Sequence, residues 1–167
     1  GEIPLAKIIA ALIDKKSVGS SVKYLKNAKI SSCFSLVAGK LAGSHQLNNE
    51  LNLDYIPSPY LSGILDPFLK ENLIPLLETN RGCPYSCTFC AWGVGSLSKV
   101  RQFDNERIID EYAWMARHKI EMLYNADANY MLLPRDLPLA EQLATTKARY
   151  GYPKQVRAAW AKNSGER

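Results

Sequence analysis

The chain has 167 residues, of which 47% are hydrophobic and 22% charged, enough for an ordinary domain with a core of its own. No apolar run approaches the ~20 residues of a membrane span, and no secretory hydrophobic region opens the chain. The net charge of +5 sits in residues 1–45, with seven lysines against Glu2 and Asp14. Without arginine clusters or interleaved aromatics, those lysines read as a solvated face, and nucleic-acid binding is not expected.

The sequence begins Gly1-Glu2 rather than with methionine, which suggests a piece of a longer protein. Residues 4–16 place Ile8, Ile9, Leu12 and Ile13 at helical spacing, and Pro4 suits the first turn. Ser17 to Ser21 is expected to break that helix. Val22–Leu25 and Cys33–Ala38 are predicted as short strands, and Gly39 to Asn52 as loop. Cys33 sits among Phe34, Leu36 and Val37 and reads as a buried strand thiol. Leu53 to Leu61 contains Pro57 and Pro59, which force extended backbone. It is expected to be a linker packing through Tyr55, Ile56, Tyr60 and Leu61.

From residue 73 the pattern becomes strand, loop, helix, repeated. Leu73–Glu78 is strand-like, with Pro75 pointing to an edge or a strand start. Asp104 is a good N-cap for a helix carrying Ile108, Ile109, Tyr112, Met115 and Ala116 on one face. Ile120–Tyr124 is the next strand, ending in the polar run Asn125 to Asn129. Asp136 is expected to cap a second helix with Leu139, Leu143 and Tyr150 inward, stopped by Gly151 and Pro153. Gln155–Trp160 alternates polar and apolar as a third strand, ending at Lys162 and Asn163. Strands alternating with helices predict an α/β fold with a parallel sheet. In such sheets the chemistry sits at the C-terminal strand ends, where Cys83–Cys90, Asp127 with Asn129, and Lys162 with Asn163 all fall.

Four cysteines, three of them clustered, argue for metal binding in a reducing, cytoplasmic setting rather than for disulfides. Cys83, Cys87 and Cys90 lie at C-x3-C-x2-C spacing in Cys83-Pro-Tyr-Ser-Cys87-Thr-Phe-Cys90. Gly82 permits unusual backbone angles before the loop and Pro84 stiffens it. A structural zinc site is closed by four ligands, and iron–sulfur clusters usually take four thiolates. Three ligands leave a position open. The alternatives are a zinc knuckle in a non-catalytic interaction module, or unlinked thiols.

With Phe89 as the aromatic of C-x3-C-x-aromatic-C and with the flanks Glu78 to Gly82, the stretch resembles the cluster motif of the radical S-adenosylmethionine (radical SAM) superfamily. The resemblance implies that Cys83, Cys87 and Cys90 hold a [4Fe-4S] cluster whose fourth iron is chelated by S-adenosylmethionine. One electron then cleaves the sulfonium to a 5′-deoxyadenosyl radical, for hydrogen abstraction or for methylation of an unactivated carbon. It implies an electron donor such as flavodoxin or ferredoxin, and a small-molecule or peptide substrate.

The same resemblance implies an incomplete (βα) barrel, of which residues 73–167 would supply the first three strands. Residues 53–72 would then be a linker. The stretch Leu53 to Asp66 resembles the connection in members with an upstream cobalamin-binding domain, so residues 1–52 would be the tail of that domain. The cobalamin motif D-x-H-x-x-G is absent, and His45, in Gly-Ser-His-Gln, does not fit it. Phe89 is expected near the adenine, and Trp92 is expected to stack on the cofactor or cover the cluster. Asp127-Ala128-Asn129-Tyr130 resembles the D-x-N variant of cobalamin-associated members, where other members carry a Gly-Gly-Glu-like segment for the methionine amino group. Asp127 and Asn129 are therefore candidate cofactor contacts, and Lys162 with Asn163, at the end of the third strand and facing the same mouth, are further polar candidates. Lys99 and Arg101 read as a surface pair, and His118 as structural.

Overall fold

A computed structural model describes residues 1–14, 18–27, 30–43, 52–71, 73–93 and 99–161. The chain divides into two compact units, Gly1–Leu51 and Asn52–Arg167. None of the helices among the described residues is long and apolar enough to cross a membrane.

In the first unit, helix α1 spans Glu2–Asp14 and helix α2 spans Val18–Asn27. The first helix ends at Asp14, before the expected break, and a second begins at Val18, so Gly19 to Ser21 and the predicted strand at Val22–Leu25 are helical. Val18, Val22 and Leu25 recur at helical spacing, and that period outweighs the strand preference of valine. In α1 the half-buried positions are Ile3, Pro4, Ile8 and Ala11, whereas Ile9, Leu12 and Ile13 are exposed. The predicted stripe is therefore rotated. Strands β1, Phe34–Val37, and β2, Lys40–Gly43, form an antiparallel hairpin. Its two turn residues, Ala38 and Gly39, have φ of 49° and 76°, as a type I′ turn requires. Lys40–Gly43 was expected as loop; the tight turn at Gly39 sends it back as a strand instead. His45 lies outside the described residues.

The second unit holds the parallel sheet. The proline-rich stretch packs into its core, with Leu53 and Tyr60 buried and Ile56 against them. Tyr55 and Leu61 are exposed, contrary to expectation. The Tyr60 hydroxyl donates to Leu76 O. Burial pushes that phenol up to about 12, helped by nearby Glu111, so it stays a protonated donor. Strand β3 is only Leu76–Leu77, shorter than predicted, and β4, Asn80–Arg81, follows at once. Pro75 stands before β3 and accepts from Tyr124 N at 3.0 Å, using the half of its backbone that can still pair.

Strand β5 is Arg101–Gln102, helix α3 is Asn105–Arg117, strand β6 is Met122–Tyr130, helix α4 is Asp136–Tyr150, and strand β7 is Gln155–Trp160. The sheet order is β3-β6-β7, with both pairings parallel, the α/β arrangement expected from the alternating pattern. Asp104 caps α3, accepting from Glu106 N at 3.1 Å. Ile108, Tyr112, Trp114 and Met115 pack against Leu77, Leu123, Leu139 and Leu143.

Two predicted boundaries move. β6 runs on through the polar residues instead of ending at Tyr124, and Leu123, Asn125, Asp127 and Asn129 are buried at alternate positions, with Tyr130 buried at the end. That two-residue period is a strand's; three of its buried members, Asn125, Asp127 and Asn129, are polar. Helix α4 is preceded by Arg135, which makes no side-chain cap. Asp136 accepts from Leu133 N at 2.8 Å, bracing the turn before the helix rather than capping it. Tyr150 is exposed, not inward. Gly151 ends the helix at φ 77°, its N–H donating to Lys147 O at 2.7 Å; glycine adopts that left-handed angle without penalty.

Candidate metal centre

The cysteine loop follows β4 and ends at β5, two short strands that form a separate pair beside the parallel sheet. These two short strands pair antiparallel, Asn80 with Gln102 and Arg81 with Arg101. They close the base of an excursion that carries all three thiols. Arg101 is thus a half-buried strand residue of this closure, and Lys99 is exposed. Phe103 N adds a bond to Thr79 O at 3.0 Å. The guanidinium carbons of Arg81 and Arg107 lie 5.6 and 4.4 Å from the Phe103 ring, a favourable placement of cations against an aromatic face.

Gly82 stands at φ 117°, and a Cβ there would lie 2.4 Å from Lys99 O. Only glycine fits where the two arms of the loop pass this closely. Gly82→Ala is expected to cost about 2 kcal/mol or more, from the positive-φ penalty together with the overlap. Urea denaturation should show the loss, and anaerobic reconstitution should show lower iron content. An unchanged midpoint with full iron would contradict the close approach.

Behind the loop, Asp127 is 2% exposed. Its Oδ1 accepts from Thr79 N at 2.7 Å and Asn80 N at 3.1 Å. Its Oδ2 accepts from Thr79 Oγ1, from Asn80 Nδ2 at 3.0 Å and from Asn125 Nδ2 at 3.2 Å. Burial pushes its carboxyl above the usual range, and the donors of Thr79, Asn80 and Asn125 pull the other way. Both oxygens are thus engaged within the protein, at the root of the loop. Asn129, two residues on, donates from Nδ2 to Cys83 Sγ at 3.1 Å.

Sequence reasoning missed Arg135. Its Nη1 donates to Phe103 O and, at 2.7 Å, to Asn105 Oδ1, and its Nη2 donates to Thr79 O at 2.6 Å. One guanidinium fork therefore ties both arms of the loop base to the start of α4. Its partners lie 30 to 56 residues away in the chain, so no local spacing announces it.

Cys83 is buried, and Cys87 and Cys90 are half-buried; all are free thiols. Cys90 N donates to Cys87 O at 3.0 Å, a turn that brings those two residues to the same end of the loop. Among the described residues no three His, Cys, Asp or Glu side chains are drawn together as a metal site. The donor set nevertheless suits an iron–sulfur cluster: three soft sulfur ligands on one glycine-hinged loop, one of them already accepting an amide N–H. Phe89 is 82% and Trp92 45% exposed, both on this loop. Lys162 and Asn163 lie outside the described residues. Cys33, half-buried rather than fully buried, is in the first unit. His118 is structural: its ring lies 4.1 Å from that of Trp114, and its Nδ1 is 2.9 Å from Trp114 O.

A three-cysteine loop rooted at the first strand of a parallel α/β sheet is the arrangement expected of the radical SAM superfamily, and the resemblance to its cobalamin-dependent members holds in comparison with known proteins. Over 117 residues the chain is 47% identical to the cobalamin-dependent radical SAM methyltransferase TokK of Streptomyces tokunonensis. It is equally similar, over the same length, to a 2-(S-pantetheinyl)-carbapenam-3-carboxylate methyltransferase of Streptantibioticus cattleyicolor. The match takes in 66% of this chain and spans 17% of the length of either relative. Among solved structures, the fold is similar to that of the cobalamin-dependent S-adenosylmethionine radical enzyme OxsB, with aqua-cobalamin and S-adenosylmethionine bound. That likeness has a TM-score of 0.51 at 18% identity, over 78% of this chain and 19% of that one. At this identity it speaks for the fold alone. No family model matches the chain.

Proposed function

We propose that this chain is part of a radical SAM enzyme in which Cys83, Cys87 and Cys90 hold a [4Fe-4S] cluster, and that the enzyme is a cobalamin-dependent methyltransferase. The observation that carries the reading is the closed C-x3-C-x-F-C loop, three thiols on an excursion pinned at both arms by β4, β5, Arg135 and Asp127. The methyltransferase assignment follows the activity named for the two relatives. When bound, the cluster and S-adenosylmethionine supply one-electron cleavage of the sulfonium, and cobalamin supplies methyl transfer; the electron would come from a flavodoxin- or ferredoxin-like donor. On this reading the second unit is the first part of a partial (βα) barrel, as the likeness to the radical SAM structure supports, and the reaction takes place in the cytoplasm.

The chain's own contribution is to hold and shield. Asp127 and Arg135 fix where the loop leaves the sheet, so the thiols meet a cluster on a preset root rather than on a mobile strand end. The exposed rings of Phe89 and Trp92 are available to stack on the adenine or to cover the cluster from water. A small carboxylated, pantetheinyl-substituted bicyclic molecule, the type named for one relative, is the first methyl acceptor to try.

The test is anaerobic incubation of the full-length protein with iron, sulfide, reductant and S-adenosylmethionine. The expected result is a brown protein that releases 5′-deoxyadenosine, with release dependent on all three cysteines. A colourless zinc-loaded protein that leaves S-adenosylmethionine intact would overturn the reading.

A further inference from the structure

We propose that Asn129 is a positioning residue for the cluster ligand Cys83, and that its amide N–H raises the reduction potential of the cluster. The inference rests on the cluster assignment above. Cys83 is the buried member of the three thiols, at 7% exposure, and Asn129 is 4% exposed. The Cys83 sulfur, here a thiol standing in for the ligating thiolate, accepts from Asn129 Nδ2 at 3.1 Å.

Three features separate this contact from a chance neighbour. Asn129 sits on a sheet strand, β6, rather than on a loop, so its amide is held by the sheet. It is the last of three buried polar positions at two-residue spacing. Asn125 bonds Asp127, Asp127 bonds Thr79 and Asn80, and Asn129 bonds Cys83. One strand therefore braces the chain from Thr79, three residues before Gly82, to the first cysteine. The ladder also commits its groups: both Asp127 oxygens are taken, and the Asn129 amide is directed at sulfur. The Asn129 Nδ2 donor thus serves the cluster side of the site.

The physical consequence is electrostatic. An N–H donor on a ligating sulfur draws charge from it and favours the more negative, reduced cluster, which raises the potential. Partners that orient a metal ligand also govern retention, and their loss typically costs about 10- to 100-fold in metal affinity.

The test uses the full-length protein, reconstituted anaerobically, as wild type and as N129L and N129D. Leucine keeps the bulk without a donor; aspartate keeps the shape and places a carboxylate oxygen where the N–H was. Redox titration should give a more negative midpoint for N129L and a further drop for N129D. A chelator challenge should show iron leaving N129L about tenfold more readily or more. A wild-type cluster with N129L unchanged in both midpoint and retention would overturn this proposal and leave the cluster assignment standing. A wild-type protein that assembles no cluster would overturn the assignment itself. If the variants fail to assemble, pulsed electron paramagnetic resonance of wild type with 15N-labelled asparagine side chains decides. A nitrogen coupling to the reduced cluster supports the contact, and its absence overturns it.

Discussion

Changing any one of Cys83, Cys87 or Cys90 to alanine is expected to abolish the reconstituted [4Fe-4S] cluster, whereas Cys33→Ala leaves it intact. On the proposed reading the loop supplies the three thiols that anchor the cluster, so removing a sulfur leaves two anchors where three are needed. Cys33 lies in the first unit, by an apolar cavity lined by Ile8, Leu25, Phe34 and Val37, and it packs as a small hydrophobe. Iron and sulfide analysis, with the visible absorbance of the anaerobic protein, checks the set. Equal iron loss on changing Cys33 would contradict the three-ligand assignment.

Asp127→Ala is expected to be the most destabilising single change in the second unit outside its apolar core. The substitution removes an acceptor serving five donors and leaves Thr79 N and Asn80 N buried without partners. Each buried donor so stranded costs about 1–3 kcal/mol. Asp127→Asn should be milder, because one amide oxygen still accepts, but its NH2 would face Asn80 Nδ2 and Asn125 Nδ2. Denaturant midpoints of the three proteins should rank wild type, Asn, Ala. The Ala variant should also fail to retain iron, because the loop root is no longer fixed. An Ala variant as stable as wild type would mean that the carboxylate does not carry the network described.

The parts of the fold that were legible in the sequence carry their signals locally. Asp104 caps α3 two residues from the amide it binds, Gly151 stops α4 at the angle only glycine takes easily, and Gln155–Trp160 alternates as a strand should. The three thiols were legible for the same reason, being within eight positions of one another. The polar run after Tyr124 was misread because Asn and Asp favour turns. Here they alternate with alanines along β6, and their burial is supported by Thr79, Asn80 and Cys83, which lie 46 to 48 residues upstream. Arg135 was invisible as a clamp for the same reason. The helix at Val18–Asn27 was missed because three serines and a glycine look like a break, whereas the valine and leucine spacing keeps the helical period. Distance along the chain thus marks the limit: contacts within a few residues announce themselves, and those that root the loop do not.

The central claim is that the loop holds a cluster with one iron open to S-adenosylmethionine. The most direct measurement is the electron paramagnetic resonance spectrum of the reduced cluster in the full-length protein, with and without S-adenosylmethionine. The account predicts a changed spectrum at saturating cofactor, because the cofactor becomes a ligand of the open iron. An identical spectrum would contradict it and point to a closed structural or electron-transfer cluster.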